Sequence, residues 1–540
     1  VTATLACAQA VLGQLLAQGV TELVLAPGSR SAPLALVADA AAREGRLRLH
    51  VRVDERVAGF LALGLAKASG RCVAVVTTSG TAVGNLLPAV MEAHHAGVPL
   101  LVVSADRPAA LVGAGANQTT DQTLVLTGFL RHLARVSSAA PPASWTAQAA
   151  RAVLAATGVL SRNPGPAQLN LELAEPLLPA EGPINGPAEL PGVRAGGFGA
   201  PEPVELAGTP PTLVVCGDAG VEAGRAAAAF ARAAGLPLLA EPSSNARFGA
   251  NALATGRLLL GGELGAGIQR VIVFGRPNLS RPVSALLARP DVEVVVVTQT
   301  PAFVDPGWRA SLVAGAVTVE PGPADWLAAW QRADRIRLAG LDALLDAEPR
   351  ATGPALARLV VAAVGEGQVL CLGNSNPIRD ADLAPAPSGA VPVYANRGLS
   401  GIDGTISSAI GVALATGAPT TLLCGDLAFF HDAGALAIGP GEPRPALRVV
   451  VADDAGGSIF ATLEYGQPRF AAAFERVFAT PTGLDPVAVA TGYGVPARRL
   501  QTLAEAAALL AVPVVDLEVV VVGIDRAGRA EQARRIASGT

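Results

Sequence analysis

Two apolar runs end on carboxylates where strands should end: TTLLCGD closes on Asp426, and RVVVADD closes on Asp453 and Asp454. Adjacent carboxylates at the mouth of an apolar strand repel each other and are costly to desolvate, so a cation is expected beside them. In a doubly wound sheet, ligands bind beyond the carboxyl ends of the strands, where loop N–H groups and helix N-termini point outward. An aspartate from one strand end and an oxygen from the next can grip a hard divalent cation. Mg2+ suits that geometry, because it keeps few protein ligands and is completed by phosphate oxygens and water. Gly425, Gly456 and Gly457 would let the backbone approach a diphosphate closely. A single acidic strand end reads more readily as a solvated cap; the paired arrangement with a glycine doublet behind it favours the metal.

Glu55, in HVRVDERVAGF, stands just after a strand at the start of a helix. A carboxyl held there in an apolar site can do acid–base work. Taken alone, Glu55 and Asp54 would merely complement the helix dipole. His50, His132 and His431 lack metal-ligand spacing, and His94 and His95 fall within a helical segment, so none of the five histidines is assigned a function.

A GD pair followed at this distance by a second polar pair resembles the metal–diphosphate motif of thiamine-diphosphate enzymes, whose usual ending is Asn-Asn. Further phrases narrow the likeness: APGSRSAPL (26–34), SADRP (104–108), GANQTTDQ (115–122), GNSNPIR (373–379) and ANRGLSGIDG (395–404). Together they resemble the 2-succinyl-5-enolpyruvyl-6-hydroxy-3-cyclohexene-1-carboxylate synthases of menaquinone biosynthesis. FGRPNLSR (274–281) is a weaker match in the middle of the chain, with Arg281 where that family usually carries a lysine.

The resemblance implies a transferase that decarboxylates 2-oxoglutarate on thiamine diphosphate and adds the succinyl carbanion equivalent to isochorismate. Asp426, Asp454 and the Gly456 carbonyl become the ligands of Mg2+ or Mn2+, with Asp453 and Asp454 replacing the family asparagines. Glu55 becomes the catalytic contact to N1′ of the aminopyrimidine, and Ile402 the bulky support of the bent cofactor. Gly425, Leu427, Gly457, Ile459 and Phe460 join the cofactor pocket. Both substrates are dicarboxylates, which the fixed fork of arginine suits. Arg379, Arg397 and Ser375 are implied for the 2-oxoglutarate side, and Arg30, Arg107, Gln118 and Arg281 for isochorismate, although for any one arginine a structural salt bridge is equally open. The resemblance also implies a homodimer or homotetramer with active sites between subunits. A different thiamine-diphosphate 2-oxoacid decarboxylase or acetolactate-synthase-like enzyme, or a non-catalytic homologue, are the alternatives.

The elements that must position these groups alternate β and α. Near-continuous Val/Leu strands such as CVAVVTTSG, VPLLVVSAD and VEVVVVTQ imply parallel sheets covered on both faces, hence an α/β chain of tandem doubly wound domains. The expected division is 1–180 for pyrimidine binding, a Pro/Gly-rich linker over 181–210, a central Rossmann-like domain over 211–345, and a diphosphate/Mg-binding domain over 350–540. A length of 540 residues agrees with roughly three domains at about 150 residues each. The first and third domains share a coarse rhythm.

With 51% hydrophobic and 16% charged residues, large cores are easy to bury, and a net charge of −4 gives no electrostatic case for nucleic acid. No apolar run approaches the ~18–20 residues of a bilayer span. VTATLACAQAVLGQLLAQG reads as an amphipathic surface helix, not a signal peptide. Five cysteines without CxxC spacing read as reduced, buried thiols, in keeping with a cytoplasmic protein.

Overall fold

The computed structural model, describing residues 2–387 and 389–539, turns six early apolar runs into strands. These are β1 (Glu22–Leu25), β2 (Arg48–Val51), β3 (Val73–Thr77), β4 (Leu100–Asp106), β5 (His132–Ser137) and β6 (Ala167–Glu172). They form one parallel sheet in the order β2-β1-β3-β4-β6-β5. Strands β1, β3, β4 and β6 are buried along their whole length, as a sheet covered on both faces requires. This sheet centres a first unit made of Val1–Gly199 together with Gly398–Gly417 and Asp432–Pro445.

The helix Ala3–Ala17 forms as expected, but it is not a surface element. Leu5, Cys7, Val11, Leu12 and Leu15 are buried in one core with Val37, Trp145 and Val153. Its polar residues are taken up by the Pro/Gly-rich stretch, which has no regular structure yet lies along the helix. Gln14 donates to the Pro191 carbonyl at 3.3 Å, and Gln18 to that of Val193 at 3.2 Å. The segment TAVGNLLPAVMEAHHAG becomes two helices, Thr81–Asn85 and Leu87–Ala96, because Pro88 has no N–H to continue the ladder.

The helix Glu55–Ser69 opens on Asp54, whose side chain accepts from the Arg56 N–H, and closes on left-handed Gly70. Every residue from Val57 to Ala66 is buried, since this helix is covered twice. One cover is the helix Thr405–Thr416, brought close by paired glycines. A Cβ on Gly64 would lie 2.1 Å from the Ser408 carbonyl, and one on Gly411 2.3 Å from that of Leu61.

The second unit comprises Ala200–Arg397, Ala418–His431 and Ala446–Thr540. Its strands are β7 (Val204–Leu206), β8 (Thr212–Cys216), β9 (Leu238–Ala240), β10 (Arg270–Phe274), β11 (Glu293–Val297), β12 (Ala310–Ala314), β13 (Val317–Val319), β14 (Val369–Leu372), β15 (Val393–Tyr394), β16 (Thr420–Gly425), β17 (Leu447–Asp453), β18 (Ala497–Leu500) and β19 (Glu518–Gly523). Five make a parallel sheet in the order β12-β11-β10-β8-β9, β7 pairs β13, and six make β15-β14-β16-β17-β19-β18. Counted from its own first strand, this last sheet repeats the order of the sheet of β1–β6, which gives the shared rhythm a topological meaning. Inside the unit, Arg247 joins the two large sheets' domains: it pairs with Asp382 at 3.0 Å and donates to the carbonyls of Asp382, Ala384 and Ala254. All five cysteines are buried, and none forms a disulfide. Among the described residues no helix is long and apolar enough to cross a membrane.

Candidate active site

Strands β16 and β17 are neighbours with Gly425 opposite Ala452, so Asp426 and the Asp453–Asp454 pair leave the sheet side by side. The two adjacent aspartates then part company. Asp453 is neutralised by Arg499, which donates to it at 2.8 Å. Asp454 instead meets Asp426, and its carboxylate accepts from the Ser458 hydroxyl, which in turn receives Asn376 Nδ2 at 2.7 Å. Asp426 is only 3% exposed. Burial and the Asp454 charge push its pKa up to about 7, and burial raises Asp454 as well.

Two carboxylates facing each other, one buried and one half-buried, fit a divalent cation. Among the described residues no three His, Cys, Asp or Glu side chains gather as a metal site. A cation here would therefore rest on two carboxylates and on backbone or ligand oxygens, the donor set Mg2+ accepts. The glycines divide the remaining work. A Cβ on Gly456 (φ 140°) would lie 2.5 Å from the Ala479 carbonyl, and one on Gly457 2.9 Å from that of Phe478. They thus make room for the chain's own backbone, while Gly425 faces open space. Leu427, Ile459 and Phe460 are half-buried beside these glycines in sequence, and the Phe460 ring leans on Phe478 at 5.8 Å.

In the same unit, Ser375 (φ 72°) heads the helix Asn376–Ala381, and Arg379 donates back to its carbonyl at 2.7 Å. Arg397 is 1% exposed. Asn374 holds one guanidinium nitrogen at 2.8 Å and Asn278 another at 2.6 Å, while Asn278 Nδ2 returns a bond to the Arg397 carbonyl. Its Nε has no hydrogen-bond partner among the described residues. Burial, with the nearby Arg397 and Arg257 cations, lowers the Arg379 pKa from its ordinary value. Neighbouring guanidiniums of this kind, one with an unpaired nitrogen, suit a carboxylate ligand. Arg281 stands apart from them: its side chain is 77% exposed and bonds Glu464 at 3.0 Å.

In the first unit, Glu55 begins its helix half-buried and accepts from Asn85 Nδ2 at 2.9 Å. Arg107, at the end of β4, donates to Ser79 Oγ at 2.6 Å and to the Gln118 carbonyl at 2.7 Å, and Gln118 Nε2 bonds the Ser79 carbonyl at 2.8 Å. Arg107 and Gln118 are thus brought together. Arg30 is anchored on the Leu173 carbonyl at 3.0 Å and on Glu175, just beyond β6, the strand next to β4. Ile402 is half-buried, and its carbonyl accepts from Thr405 at 2.7 Å. The buried Glu92 grips the same loop through the N–H groups of Gly398 and Leu399. Sequence reasoning passed over Asn85, Ser79, Asn278, Asn374, Asn376 and Ser458. Ser79, Asn278, Asn374 and Asn376 stand inside quoted phrases and Ser458 directly after the glycine doublet, so these five were within reach.

A profile of the thiamine pyrophosphate enzyme N-terminal TPP binding domain matches residues 5–125. Over nearly the full length, the chain is similar to proteins named 2-succinyl-5-enolpyruvyl-6-hydroxy-3-cyclohexene-1-carboxylate synthase. It is 52% identical to that of Kineococcus radiotolerans over 94% of this chain and 93% of that one. For Arthrobacter sp. the figures are 49% over 96% and 89%, and for Paenarthrobacter aurescens 47% over 98% and 96%. The chain belongs to this synthase family. Because the synthase match runs through both units, it takes in the Asp426–Asp454 pair and the Arg379–Arg397 cluster as well as Glu55, which the N-terminal profile alone reaches.

Proposed function

We propose that the chain carries out the reaction of its family: thiamine-diphosphate-dependent decarboxylation of 2-oxoglutarate and conjugate addition of the succinyl unit to isochorismate. It is then a C–C bond-forming transferase of menaquinone biosynthesis. Bound thiamine diphosphate supplies the electron sink for losing CO2 and for the carbanion equivalent that follows. The observation that carries the reading is the Asp426–Asp454 pair, one carboxylate buried and one half-buried, a doubly acidic socket at two neighbouring strand ends.

In this reading Asp426, Asp454 and the Gly456 carbonyl hold Mg2+ or Mn2+ against the diphosphate, with Gly425, Leu427 and Gly457 lending backbone. Ile459 and Phe460 line the pocket, and Ile402 supports the cofactor from beneath. Glu55, positioned by Asn85, holds the proton shared with the aminopyrimidine. Arg379, Arg397 and Ser375 bind the 2-oxoglutarate carboxylates; Arg30, Arg107, Gln118 and Arg281 take the isochorismate side. The chain divides as 1–180, 181–210, 211–345 and 350–540, and works in the cytoplasm as a homodimer or homotetramer with sites shared between subunits.

The test is turnover of purified protein with thiamine diphosphate and Mg2+, read as CO2 release and product mass. Coupling of 2-oxoglutarate to isochorismate supports the reading. Turnover of pyruvate alone would move the chain to the acetolactate-synthase-like alternative, and no cofactor binding at millimolar concentration would make it a non-catalytic homologue.

A further inference from the structure

Strands β4 and β6 pair with Ser104 opposite Asn170 and Asp106 opposite Glu172. At these positions the sheet buries polar groups where its neighbours bury Val and Leu. Ser104, Gln122, Gln168 and Asn170 are all 0% exposed, and Asp106 is 1% exposed. Side chains of this kind are costly to bury unless paired, and apart from Gln168 Oε1 these are paired with one another or with the backbone. Gln168 Nε2 donates to Ser104 Oγ at 2.9 Å, and Ser104 to Asn170 Oδ1 at 2.9 Å. Gln122 Nε2 donates to the same Asn170 oxygen at 2.6 Å and to the Ala105 carbonyl at 3.1 Å.

Two arms leave this network. Through one, Asn170 Nδ2 bonds Asp106 at 2.8 Å, and the other Asp106 oxygen accepts the Arg107 N–H at 2.8 Å. Through the other, Gln122 Oε1 accepts the Gly80 N–H at 3.2 Å. Gly80 follows Ser79, whose hydroxyl and carbonyl hold Arg107 and Gln118. Gln118 itself sits at φ 54°, an uncommon conformation for a residue with a side chain, so something must hold it. Both arms end on the same Arg107–Ser79–Gln118 triangle.

We propose that Gln122 and Asn170 are positioning residues for the acceptor-substrate site, fixing Arg107, Gln118 and the Ser79–Gly80 turn from behind without touching substrate. The inference rests on the reading above that Arg107 and Gln118 face isochorismate. It explains why a motif loop should spend a second glutamine, Gln122, in the dry interior of the sheet.

The test compares holoenzyme with Gln122→Met, which keeps length and volume but removes the donor and acceptor. The KM for isochorismate is expected to rise about 10- to 100-fold with kcat changed far less. The KM for 2-oxoglutarate, and CO2 release from it with an artificial electron acceptor in place of isochorismate, should stay within about twofold. Asn170→Leu, which cuts the arm through Asp106 at similar volume, should raise the same KM and also serves if Gln122→Met does not fold. An unchanged isochorismate KM in either variant overturns the inference, as does a parallel rise in both KM values with a lowered Tm, which marks a merely structural role. Failure of wild-type protein to use isochorismate strikes the functional reading instead, and is seen before any variant is made.

Discussion

At the scale of single residues, the repulsive Asp453–Asp454 doublet is resolved by sending the two side chains to different partners. Arg499 neutralises one, whereas the other is left to share a buried space with Asp426. Asp454→Asn removes one of two facing negative charges, so metal-free protein should gain thermal stability, and thiamine diphosphate with Mg2+ should bind at least as well. Scanning calorimetry and titration calorimetry check this; a collapse of Mg2+ affinity would mean that an amide at this position cannot replace the carboxylate. Glu55 keeps its one hydrogen bond to Asn85 in the Gln variant, so Glu55→Gln should fold and bind cofactor while losing roughly 10²- to 10⁴-fold in turnover. Full activity in that variant would end its acid–base role. The residues with chemistry at strand ends were legible because strand register alone places them. That Asn278 and Asn374 would hold Arg397 was not, although both stand in quoted phrases, because only the fold brings the three side chains together.

At the scale of elements, β9 ends on Glu241, a carboxyl 3% exposed that accepts the Leu279 N–H at 2.9 Å through one oxygen. Its other oxygen has no partner among the described residues. Burial pushes its pKa from 4.5 up to about 8, with nearby Arg397 pulling the other way. The folded chain therefore holds a proton that the unfolded chain releases earlier. This stability is fully present below about pH 4.5 and fades as pH rises to about 8, by at most about 1.4 kcal/mol per pH unit. Glu241→Gln should match wild type in Tm near pH 5 and exceed it at pH 8; equal melting curves at both pH values would contradict this. Helices and long strands of this kind were readable from their apolar periods. The two-residue strand β15 was not, being too short to show an apolar period, nor was the short pair β7–β13, whose ladder joins segments far apart in sequence. The helix at the N-terminus was legible as a helix but not as a buried one, because its Gln side chains find carbonyls of an irregular stretch nearly two hundred residues on rather than water.

At the scale of the whole molecule, the repeated six-strand order was foreshadowed by the β–α rhythm, yet the makeup of the first unit was not. Its helix Glu55–Ser69 is sealed by a helix from residues 405–416, and the close glycine contacts leave no room for a substitute. The segment from Gly196 to Ala200 is exposed and without regular structure, an open target for a protease. A cut there should give two bands on a denaturing gel but one species of unchanged size on a native column; separation of the pieces without denaturant would contradict the shared core. A chain stitched in this way resists division into halves: a gene split near codon 199 would yield two products that must be made together, because the second carries a missing wall of the first one's interior.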